Sequence, residues 1–504
     1  MPGLVVTTGV RVGSTGTADV PSSSLFITGT AERGPTDDYR LIGSVSELET
    51  IYGTYDATAT LYQHLKTFFE EGGTQAYVLR VTGPGASAIP TVNLLSDVSG
   101  TSVAVTPVGK GAWYGDLKVT TFAGVIAESM RVRVEYLNET VYLSGDLFSN
   151  TAIADTINAN TPNYLTATAG AGAWPPVADT YTFVAGSSDN AGVDADDTLL
   201  VDALEFFVPE LGAGAVVIPE KNGIEIWDGI QAHCIANNRI GLCAFPTPTE
   251  TTAAADLIDV QALLLPASGD RPNGSYYGDS DVLKTEASVL AFYWPHVVVP
   301  DGNGGTWAIS PETFAAAARC RAHVEVGPWR PGAGIISASR FATGLVFPVN
   351  SVVGGDANDA RINALRVIDG TVRVYGARSV SGDEDNWRYI TYRDVINYVV
   401  VQASARLEPY VFGVIDSRNA IFGSIASEMV NLLEPLRRNG GIYEGRDSKG
   451  NVTDRGYSVE VTDALNSAQQ LAAGTVTAKI GLRVSSVSEV VNLIISKSGL
   501  TSAV

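Results

Sequence analysis

The C-terminal quarter of the chain has the most regular sequence pattern, and this pattern constrains the fold more than any other feature. Residues 391–407 and 417–439 repeat apolar side chains at the spacing of amphipathic helices. Residues 475–485 alternate apolar and polar side chains, as a half-buried strand does. The apolar positions are Val395, Ile396, Val399, Val400, Ala403 and Leu407; Ile421, Ile425, Met429, Leu432 and Leu436; and Val476, Ala478, Ile480, Leu482 and Val484. The block 366–487 therefore predicts an α+β unit, and nothing in it indicates an active site.

Helix boundaries are predicted from capping residues. A polar residue before an apolar stretch marks an N-terminus when an acidic residue follows three positions later, or when Pro occupies the first helical position. Such pairs are Ser46 with Glu49, Ser310 with Pro311, and Thr391 with Asp394. Glycines mark C-termini because they adopt the left-handed conformation without strain. Those predicted to end helices are Gly53, Gly72, Gly73, Gly440 and Gly441.

A series of short motifs follows in a fixed order from Val374 to Glu489. It consists of V-x-G-A-R, W-R-Y-I-x-x-R, a long helix, a second helix ending at N-G-G, an alternating strand and the tail S-E-V-V-N-L-I-I. This order resembles the C-terminal half of contractile-tail sheath proteins, which occur in bacteriophages and in related injection machines. The matching residues are Val374, Gly376, Ala377, Arg378, Trp387, Arg388, Arg393, Gly440, Gly441 and Glu489. The pieces T-A-E-R-G-P-T, F-F-E-E-G-G-T-Q-A-Y-V-L-R-V and H-V-E-V-G-P-W-R-P-G-A-G-I are also similar to patterns of that family.

The length of 504 residues suggests several domains, because single cores stop growing at roughly 250 to 300 residues. Residues 24–82 and 187–365 alternate helix and strand patterns, as an α/β core with parallel strands does. Between them, residues 83–186 contain short strand patterns separated by turn residues, which predicts an all-β surface insertion. We therefore expect a multidomain α+β and α/β protein with a sheath-like core, a β-rich insertion, a C-terminal assembly domain at 366–487 and extended terminal β arms.

Both ends of the chain combine β-prone residues with small polar ones. Residues 1–23 and 488–504 are predicted to be β arms, which need the edge of a sheet to pair with. The apolar positions of the arms are Val5, Val6, Val10, Val12, Val491, Leu493, Ile494 and Ile495. Each arm could complete the sheet of its own subunit or join a neighbouring copy by β-augmentation. The resemblance favours exchange, because the terminal arms of sheath proteins link neighbouring subunits.

The composition excludes several classes of protein. Lys and Arg number 33 against 54 Asp and Glu, and the resulting net charge of -21 argues against a nucleic-acid binder that relies on phosphate contacts. No apolar run approaches the roughly 18 to 20 residues of a membrane helix, and residues 1–13 lack the pattern of a secretory signal. Cys234, Cys243 and Cys320 form no C-x-x-C pair, which favours assembly in a reducing, intracellular compartment.

An open α/β core could belong to an enzyme, but the sequence offers no motif for one. The Gly109-Lys110 pair lacks the rest of a phosphate-binding loop, and no G-x-S-x-G elbow occurs. Neither the histidines nor the acidic run has metal-ligand spacing; these residues are His64, His233, His296, His323, Asp189, Asp194, Asp196 and Asp197. A structural histidine is the simpler interpretation of His296, and Cys234 beside His233 does not make a catalytic pair on a helix. We predict no catalytic, cofactor or metal site.

A basic cluster is unusual on so acidic a chain. It comprises Arg437, Arg438, Arg446, Lys449 and Arg455. Arg437 and Arg438 would complement the dipole at the end of the second predicted helix. The other interpretation is that Arg437, Arg438 and Lys449 face an acidic partner, such as the inner tube that a sheath encloses.

The resemblance implies a structural function. Subunits would form hexameric rings stacked helically around an inner tail tube and would meet a baseplate and a tail terminator, without nucleic acid, cofactor or insertion into a membrane. Contraction would drive the tube through a host envelope, and the protein would be located in the virion after assembly in the host cytoplasm. A sheath of a bacterial injection device is an alternative in the same class. An α/β enzyme with a β accessory domain is the alternative from another class.

Overall fold

The computed structural model describes residues 21–83, 90–95, 100–184, 196–264, 281–415 and 420–489, and the account below concerns these residues. Several residues singled out from the sequence lie outside this set. They are the arm positions Val5, Val6, Val10, Val12, Val491, Leu493, Ile494 and Ile495, the acidic residues Asp189 and Asp194, and residues 417–419 of the second predicted helix. The described residues include 21–23 of the predicted N-terminal arm and Ser488 and Glu489 of the predicted C-terminal arm.

The first segment contributes three strands to the largest sheet. It contains β1 (Ser24–Gly29), β2 (Arg40–Ile42), α1 (Val45–Tyr52), α2 (Leu61–Glu70) and β3 (Ala76–Arg80). Gly53 ends α1 as predicted, with a φ of 87°. The predicted capping box at Ser46 and Glu49 is wrong, because Ser44 is the N-cap and its hydroxyl accepts a hydrogen bond from the Glu47 amide. The chain reaches this earlier serine directly after β2 ends, so the helix starts two residues sooner.

The insertion consists of two antiparallel sheets and one helix around a core of their own. Its elements are β4 (Val92–Leu95), β5 (Thr101–Pro107), β6 (Leu117–Ala123), β7 (Met130–Tyr136), β8 (Glu139–Leu143), α3 (Asn150–Asn160), β9 (Leu165–Ala169) and β10 (Thr180–Thr182), with a 3₁₀ turn at Ala112–Asp116. The prediction of an all-β insertion is wrong for α3. Ser149 caps this helix, and Ile153 and Ile157 pack into the core between the sheets. Few large apolar residues mark the helix in the sequence, so its composition resembles that of a turn.

Two arginines join the insertion to the core. Arg80, buried at the end of β3, donates hydrogen bonds to the carbonyl oxygens of Ala31, Gly34 and Lys110 at 3.2, 2.9 and 3.2 Å. The Arg33 guanidinium lies 4.7 Å from the centre of the Trp113 ring, a cation–π contact. The Gly109-Lys110 pair is thus part of this joint and does not form a phosphate loop.

The remainder of the core supplies most helices and the other strands of the largest sheet. In chain order the elements are α4 (Thr198–Asp202), β11 (Gly214–Val217), α5 (Ile224–Asn237), β12 (Ile240–Ala244), α6 (Ala253–Leu263), α7 (Asp281–Ala287), β13 (Leu290–Trp294), β14 (Val297–Pro300), β15 (Thr306–Ile309), α8 (Glu312–Glu325), β16 (Gly344–Leu345), α9 (Ser351–Asp359), β17 (Ile362–Ile368) and β18 (Thr371–Val374). Short 3₁₀ turns occur at Ala203–Phe206, Pro209–Leu211 and Gly334–Ser337.

The largest sheet has the strand order β18-β17-β13-β12-β11-β1-β3-β2. The strands from β17 to β3 in this order run parallel, and the antiparallel β18 and β2 form the edges. β11, α5 and β12 form the predicted parallel βαβ unit. Apolar residues of α2 and α8 cover one face, and those of α5 and α6 cover the other. Covering both faces explains why the central strands read as continuous apolar runs.

Two predicted boundaries in this region are corrected. The apolar run 287–299 forms two strands, because β13 joins the largest sheet whereas β14 pairs with β15 and β16 in a separate sheet. Ser310 is not the N-cap of α8: Pro311 holds that position without a side-chain cap. The Ser310 hydroxyl instead hydrogen-bonds the Glu312 carboxylate. This buried carboxylate competes successfully for the hydroxyl that would otherwise cap the helix.

The C-terminal unit contains two long helices packed against each other. Its elements are α10 (Ile390–Leu407), α11 (Ala420–Arg438), β19 (Gly445–Arg446), β20 (Val452–Asp454), β21 (Tyr457–Glu460), α12 (Ala468–Ala472) and β22 (Lys479–Leu482), with a 3₁₀ turn at Glu408–Tyr410. The predicted stripe of α11 is confirmed, since Ile421, Ile425, Met429, Leu432 and Leu436 are all buried. Residue 366, the predicted start of this unit, lies within β17. The segment 366–374 therefore belongs to the β17–β18 pair of the largest sheet.

The start of α10 and the last strand differ from the predictions. α10 begins at Ile390, so Thr391 and Asp394 lie inside the helix and form no capping box. Asp394 instead pairs with Arg319 of α8, a partner 75 positions away that no local pattern reveals. The predicted strand 475–485 is shortened to β22. Val476 and Ala478 pack against α11 without joining the strand.

Candidate assembly surface

A buried polar cluster, here called the N-terminal root, holds Ser22, which precedes β1. It comprises Ser22, Arg319, His323 and Asp394. The Ser22 hydroxyl lies 2.9 Å from His323 Nδ1, and Arg319 Nη1 donates to the Ser22 carbonyl oxygen at 2.8 Å. Arg319 also donates from Nη2 to Asp394 Oδ1 at 2.5 Å. The segment that precedes β1 is therefore fixed to both α8 and α10.

The charges of the N-terminal root compensate one another. Burial alone would raise the pKa of Asp394, but the charge of Arg319 and the contact with His323 lower it. Burial, followed by the charge of Arg319, lowers the pKa of His323. The root is therefore held by an ionised Arg319–Asp394 pair with a neutral imidazole beside it, the arrangement in which a buried ion pair keeps hydrogen-bond partners.

A second cluster, the C-terminal root, holds Glu489, which follows β22. It comprises Arg378, Arg388, Tyr389 and Glu489. Arg378 donates two hydrogen bonds to the Glu489 carboxylate, at 3.0 Å from Nε and 2.9 Å from Nη2. Arg388 Nη2 lies 3.6 Å from the same carboxylate. Burial would raise the pKa of Glu489, but the hydrogen bond and charge of Arg378 outweigh it and lower the pKa.

The hairpin-like pair of β21 and β22 presents open edges. The strands are antiparallel, with Val459 opposite Ile480, and among the described residues neither has a second ladder partner. One face of the pair packs against α10 and α11, and the Tyr457 hydroxyl donates to Glu434 at 2.9 Å. Two-stranded sheets are marginal by themselves, so this pair relies on the helices behind it. Its edges offer main-chain donors and acceptors for additional strands.

The basic cluster follows the end of α11. Arg437 binds Glu434, at 2.6 Å from Nη2 to Oε1, and also Glu444. The hydrogen bond from Arg437 lowers the pKa of Glu434 to about 2, so this carboxylate stays ionised. Arg438 is 72% exposed and touches Glu434 at 3.1 Å, and Lys449 is exposed on the β19–β20 turn. The charge of Arg437 is thus neutralised within its own subunit, whereas Arg438 and Lys449 remain accessible to a partner.

The histidines considered as catalytic or metal-binding candidates make structural contacts. His64 hydrogen-bonds Thr313 and Glu220, at 2.9 and 3.0 Å, and His296 lies 3.9 Å from the same Glu220. Burial raises the pKa of neighbouring Glu312 to about 7. Within the described residues, no group of three or more His, Cys, Asp or Glu side chains could hold a metal ion. In the same part of the chain, no helix is both long and apolar enough to cross a membrane.

The adjacent His233 and Cys234 do not act together. His233 Nε2 lies 2.8 Å from Arg239 Nη1, and burial together with the charge of Arg239 lowers the pKa of His233 to about 3. Cys234 is buried in the core, which raises the pKa of its thiol. Asp196 binds the Thr198 amide and Asp197 pairs with Lys221, so the described part of the acidic run serves local structure.

Comparisons with solved structures match almost the whole chain, although no known family model and no curated protein matches its sequence. A chain of the anti-feeding prophage baseplate is 14% identical, with coverage of 98% of this chain and 100% of that chain and a TM-score of 0.53. A sheath tail protein from Listeria innocua is 12% identical, with 91% coverage of each chain and a TM-score of 0.60. A contracted PVC sheath complex is 14% identical over 98% and 99% of the chains, with a TM-score of 0.53. The chain has the fold of contractile-tail sheath proteins.

Sequence reasoning missed most contacts of the two roots within this sheath fold. Arg378, Arg388 and Glu489 belong to the sequence motifs, but the contact of Arg378 with Glu489 joins positions 111 apart and no spacing predicts it. No local pattern indicates the contacts of Ser22 or the pairing of Asp394. The one hint is that two arginines, Arg319 and Arg321, occur in an alanine-rich helix, which is buried over residues 312–323. Buried charges require partners, so such residues indicate a contact without naming it.

Proposed function

We propose that this chain is a structural subunit of a contractile sheath that assembles around an inner tube. The observation that carries the proposal is the likeness of its fold to sheath proteins over nearly the full length of both chains. Head-to-tail contacts between identical subunits generate open helices or stacked rings, which is the geometry that a sheath requires. The hexameric rings, the inner tube protein, the baseplate and the tail terminator are partners under this proposal.

The terminal arms are proposed to link neighbouring subunits. The predicted arms, residues 1–23 and 488–504, include Ser22 and Glu489 of the two roots, and the β21–β22 pair has open edges to which strands can add. Each main-chain hydrogen bond contributes only about 0.5 to 1.5 kcal/mol net, but an arm makes several and each subunit has two arms. Arms of this kind keep subunits connected while the compact bodies change their mutual orientation.

Contraction is proposed to follow from two alternative packings of the same subunits. Interfaces that differ by a few kcal/mol per subunit release a large free energy when many copies switch in succession. No nucleotide is needed, since the energy is stored when the extended form assembles. Movement of the enclosed tube through a host envelope would then be the work performed, and the assembled particle would be the site of the protein.

The basic cluster is proposed to face the tube. Arg438 and Lys449 have exposed charges, on a chain whose net charge is -21. A local positive surface on an acidic subunit would favour an acidic partner and disfavour binding between like-charged faces.

Electron microscopy of the purified protein tests the proposal. At high protein concentration we expect hollow tubes with a regular axial repeat, formed by the protein alone or after addition of the tube protein. Isolated particles under both conditions would contradict the sheath function. Both prophage and extracellular injection systems appear among the similar structures, so a sheath of an injection device is the second candidate. The identity of the co-purified baseplate distinguishes the two candidates.

A further inference from the structure

The two roots meet at the beginning of one helix. Arg388 and Tyr389 of the C-terminal root directly precede α10, and Asp394 of the N-terminal root lies in its second turn. At a rise of about 1.5 Å per residue, the five positions from Tyr389 to Asp394 span less than about 10 Å along the axis. Ser22 and Glu489 are 467 positions apart in sequence, yet both are attached to this short segment, residues 388–394.

Direct contacts connect the two attachments without a gap. Arg378 forms an antiparallel bridge with Tyr389, and the Ile390 amide donates to the Ala377 carbonyl oxygen at 3.1 Å. The Ser379 amide donates to the Arg388 carbonyl oxygen at 3.0 Å. From there the hydrogen-bonded backbone of α10 leads to Asp394, and Arg319 leads from Asp394 to the Ser22 carbonyl oxygen. Both roots are thus attached to the same hydrogen-bonded segment of backbone.

The attachments are strong because water hardly reaches them. The side chains of Arg319 and Asp394 are 6% and 3% exposed, and those of Arg378 and Glu489 are 12% and 20% exposed. Removing one partner from such a pair leaves the other charge poorly solvated, which opposes separation under load. A surface ion pair could not serve this purpose, since water replaces its contacts at little cost.

We propose that residues 388–394 couple the two arm roots, so that displacement of one terminal arm is transmitted to the other through the start of α10. The inference rests on the proposed function for its purpose, because arms that link subunits are what such a coupling would connect. In an assembly, a subunit held by one neighbour at its N-terminus would pass that displacement to the neighbour held at its C-terminus. The movement would travel through α10 and would not require the largest sheet to deform.

Hydrogen exchange of the unassembled full chain tests the coupling itself. Glu489→Gln keeps the size of the side chain and removes the charge held by Arg378 and Arg388. We expect backbone exchange to rise at least about threefold at residues 390–396 and also at 21–26, the segment held by the N-terminal root. His323→Gln should raise exchange at residues 484–489, because coupling between two sites is reciprocal.

Glu384→Gln is the matched control. Glu384 also binds Arg388, at 3.4 Å, and Arg361 at 2.8 Å, but among the described residues it pairs with neither Ser22 nor Glu489. In the Glu384→Gln variant, backbone hydrogen exchange should rise only near residues 361 and 388. The proposal is overturned if Glu489→Gln changes exchange only at 378–389, or if the control raises exchange at 21–26 equally. This measurement needs no assembled tube, so it decides the coupling even if the sheath function fails.

Assembly provides the second measurement. If the roots act in series, the protein concentration needed for tube formation should rise no further in the His323→Gln/Glu489→Gln double variant than in the worse single variant. Independent roots would give a rise equal to the product of the two single effects. That product would overturn the coupling while leaving the sheath function intact, because tubes would still form.

Discussion

Arg378 and Glu489 form a two-point ion pair across 111 positions of sequence, with donor–acceptor distances of 3.0 and 2.9 Å. The fork of a guanidinium matches a carboxylate in this geometry, which makes the contact directional as well as strong. It holds Glu489, the second residue of the predicted arm 488–504, next to Arg378. The position of Glu489 relative to the core is therefore set by a side-chain contact and not by secondary structure.

The loss of stability caused by reversing the charge of Arg378 should be recovered when the charge of Glu489 is reversed as well. Arg378→Glu places two carboxylates together and should lower the free energy of unfolding by about 2 kcal/mol, since charge-assisted bonds of this kind contribute roughly 1.5 to 3 kcal/mol. Arg378→Glu/Glu489→Arg should recover most of the loss. Urea unfolding of the four proteins measures the effect. Equal stability of the single and double variants would show that the pair does not hold the tail.

Loss of either arm should abolish assembly without unfolding the subunit. Deletion of residues 1–13 or 490–504 leaves every residue of the described core clusters in the chain. We expect monomers in gel filtration, with the circular dichroism spectrum and melting temperature of the full chain. Tubes of normal length from either truncated protein would contradict the arm-exchange mechanism.

Charge reversal at the exposed basic residues should weaken binding to the tube. Arg438→Glu/Lys449→Glu changes accessible charges and should leave the melting temperature of the subunit within about 2 °C, as surface substitutions usually do. Sedimentation with purified tube protein should show reduced co-assembly that is less sensitive to salt. Arg437→Glu is the informative comparison, because it breaks the contacts with Glu434 and Glu444 and should lower stability. Unchanged co-assembly of the double variant would exclude this surface from the tube contact.

Glu312 should make the fold less stable as pH rises. Burial raises its pKa in the folded state to about 7, above the usual value of 4.5. A carboxyl group with a raised folded pKa stabilises the fold fully below its unfolded pKa, and this stabilisation is lost as pH rises through the folded pKa. Between pH 5 and pH 8 the loss should be about 2 kcal/mol, at about 1.4 kcal/mol per unit.

Glu312→Gln removes this titration. Glutamine keeps the acceptor oxygen that the Ser310 hydroxyl and the Glu220 amide contact. The variant should therefore gain stability relative to the natural protein at pH 8 but gain little at pH 5, as measured by urea unfolding at both values. Glu325→Gln, on the same helix but 54% exposed, serves as the control and should show no such difference. A parallel pH dependence of Glu312→Gln and the natural protein would assign the effect elsewhere.

Short-range sequence patterns predict the structure correctly where a single face of an element is buried. The stripe of α11, the parallel βαβ unit and Gly53 as the end of α1 follow from periodicity and from glycine conformation. Capping residues were less reliable. At Ser310 the buried carboxylate of Glu312, two positions along the chain, takes the side chain that the local motif assigned to a helix N-terminus. At Asp394 the partner is Arg319, which lies 75 positions away. The sequence does not reveal α3, because the helix consists mostly of small and polar residues and buries only two large apolar side chains.

The class of the protein follows from local sequence patterns: an α/β core, an insertion, two long C-terminal helices and β-prone chain ends, all in an order typical of sheath proteins. Local propensity and hydrophobic period contain this information, since they act over a few residues. Only the tertiary structure decided which charges meet. The contacts of Ser22 with Arg319 and of Arg378 with Glu489 depend on how distant segments pack, because buried charges must find partners wherever the fold places them.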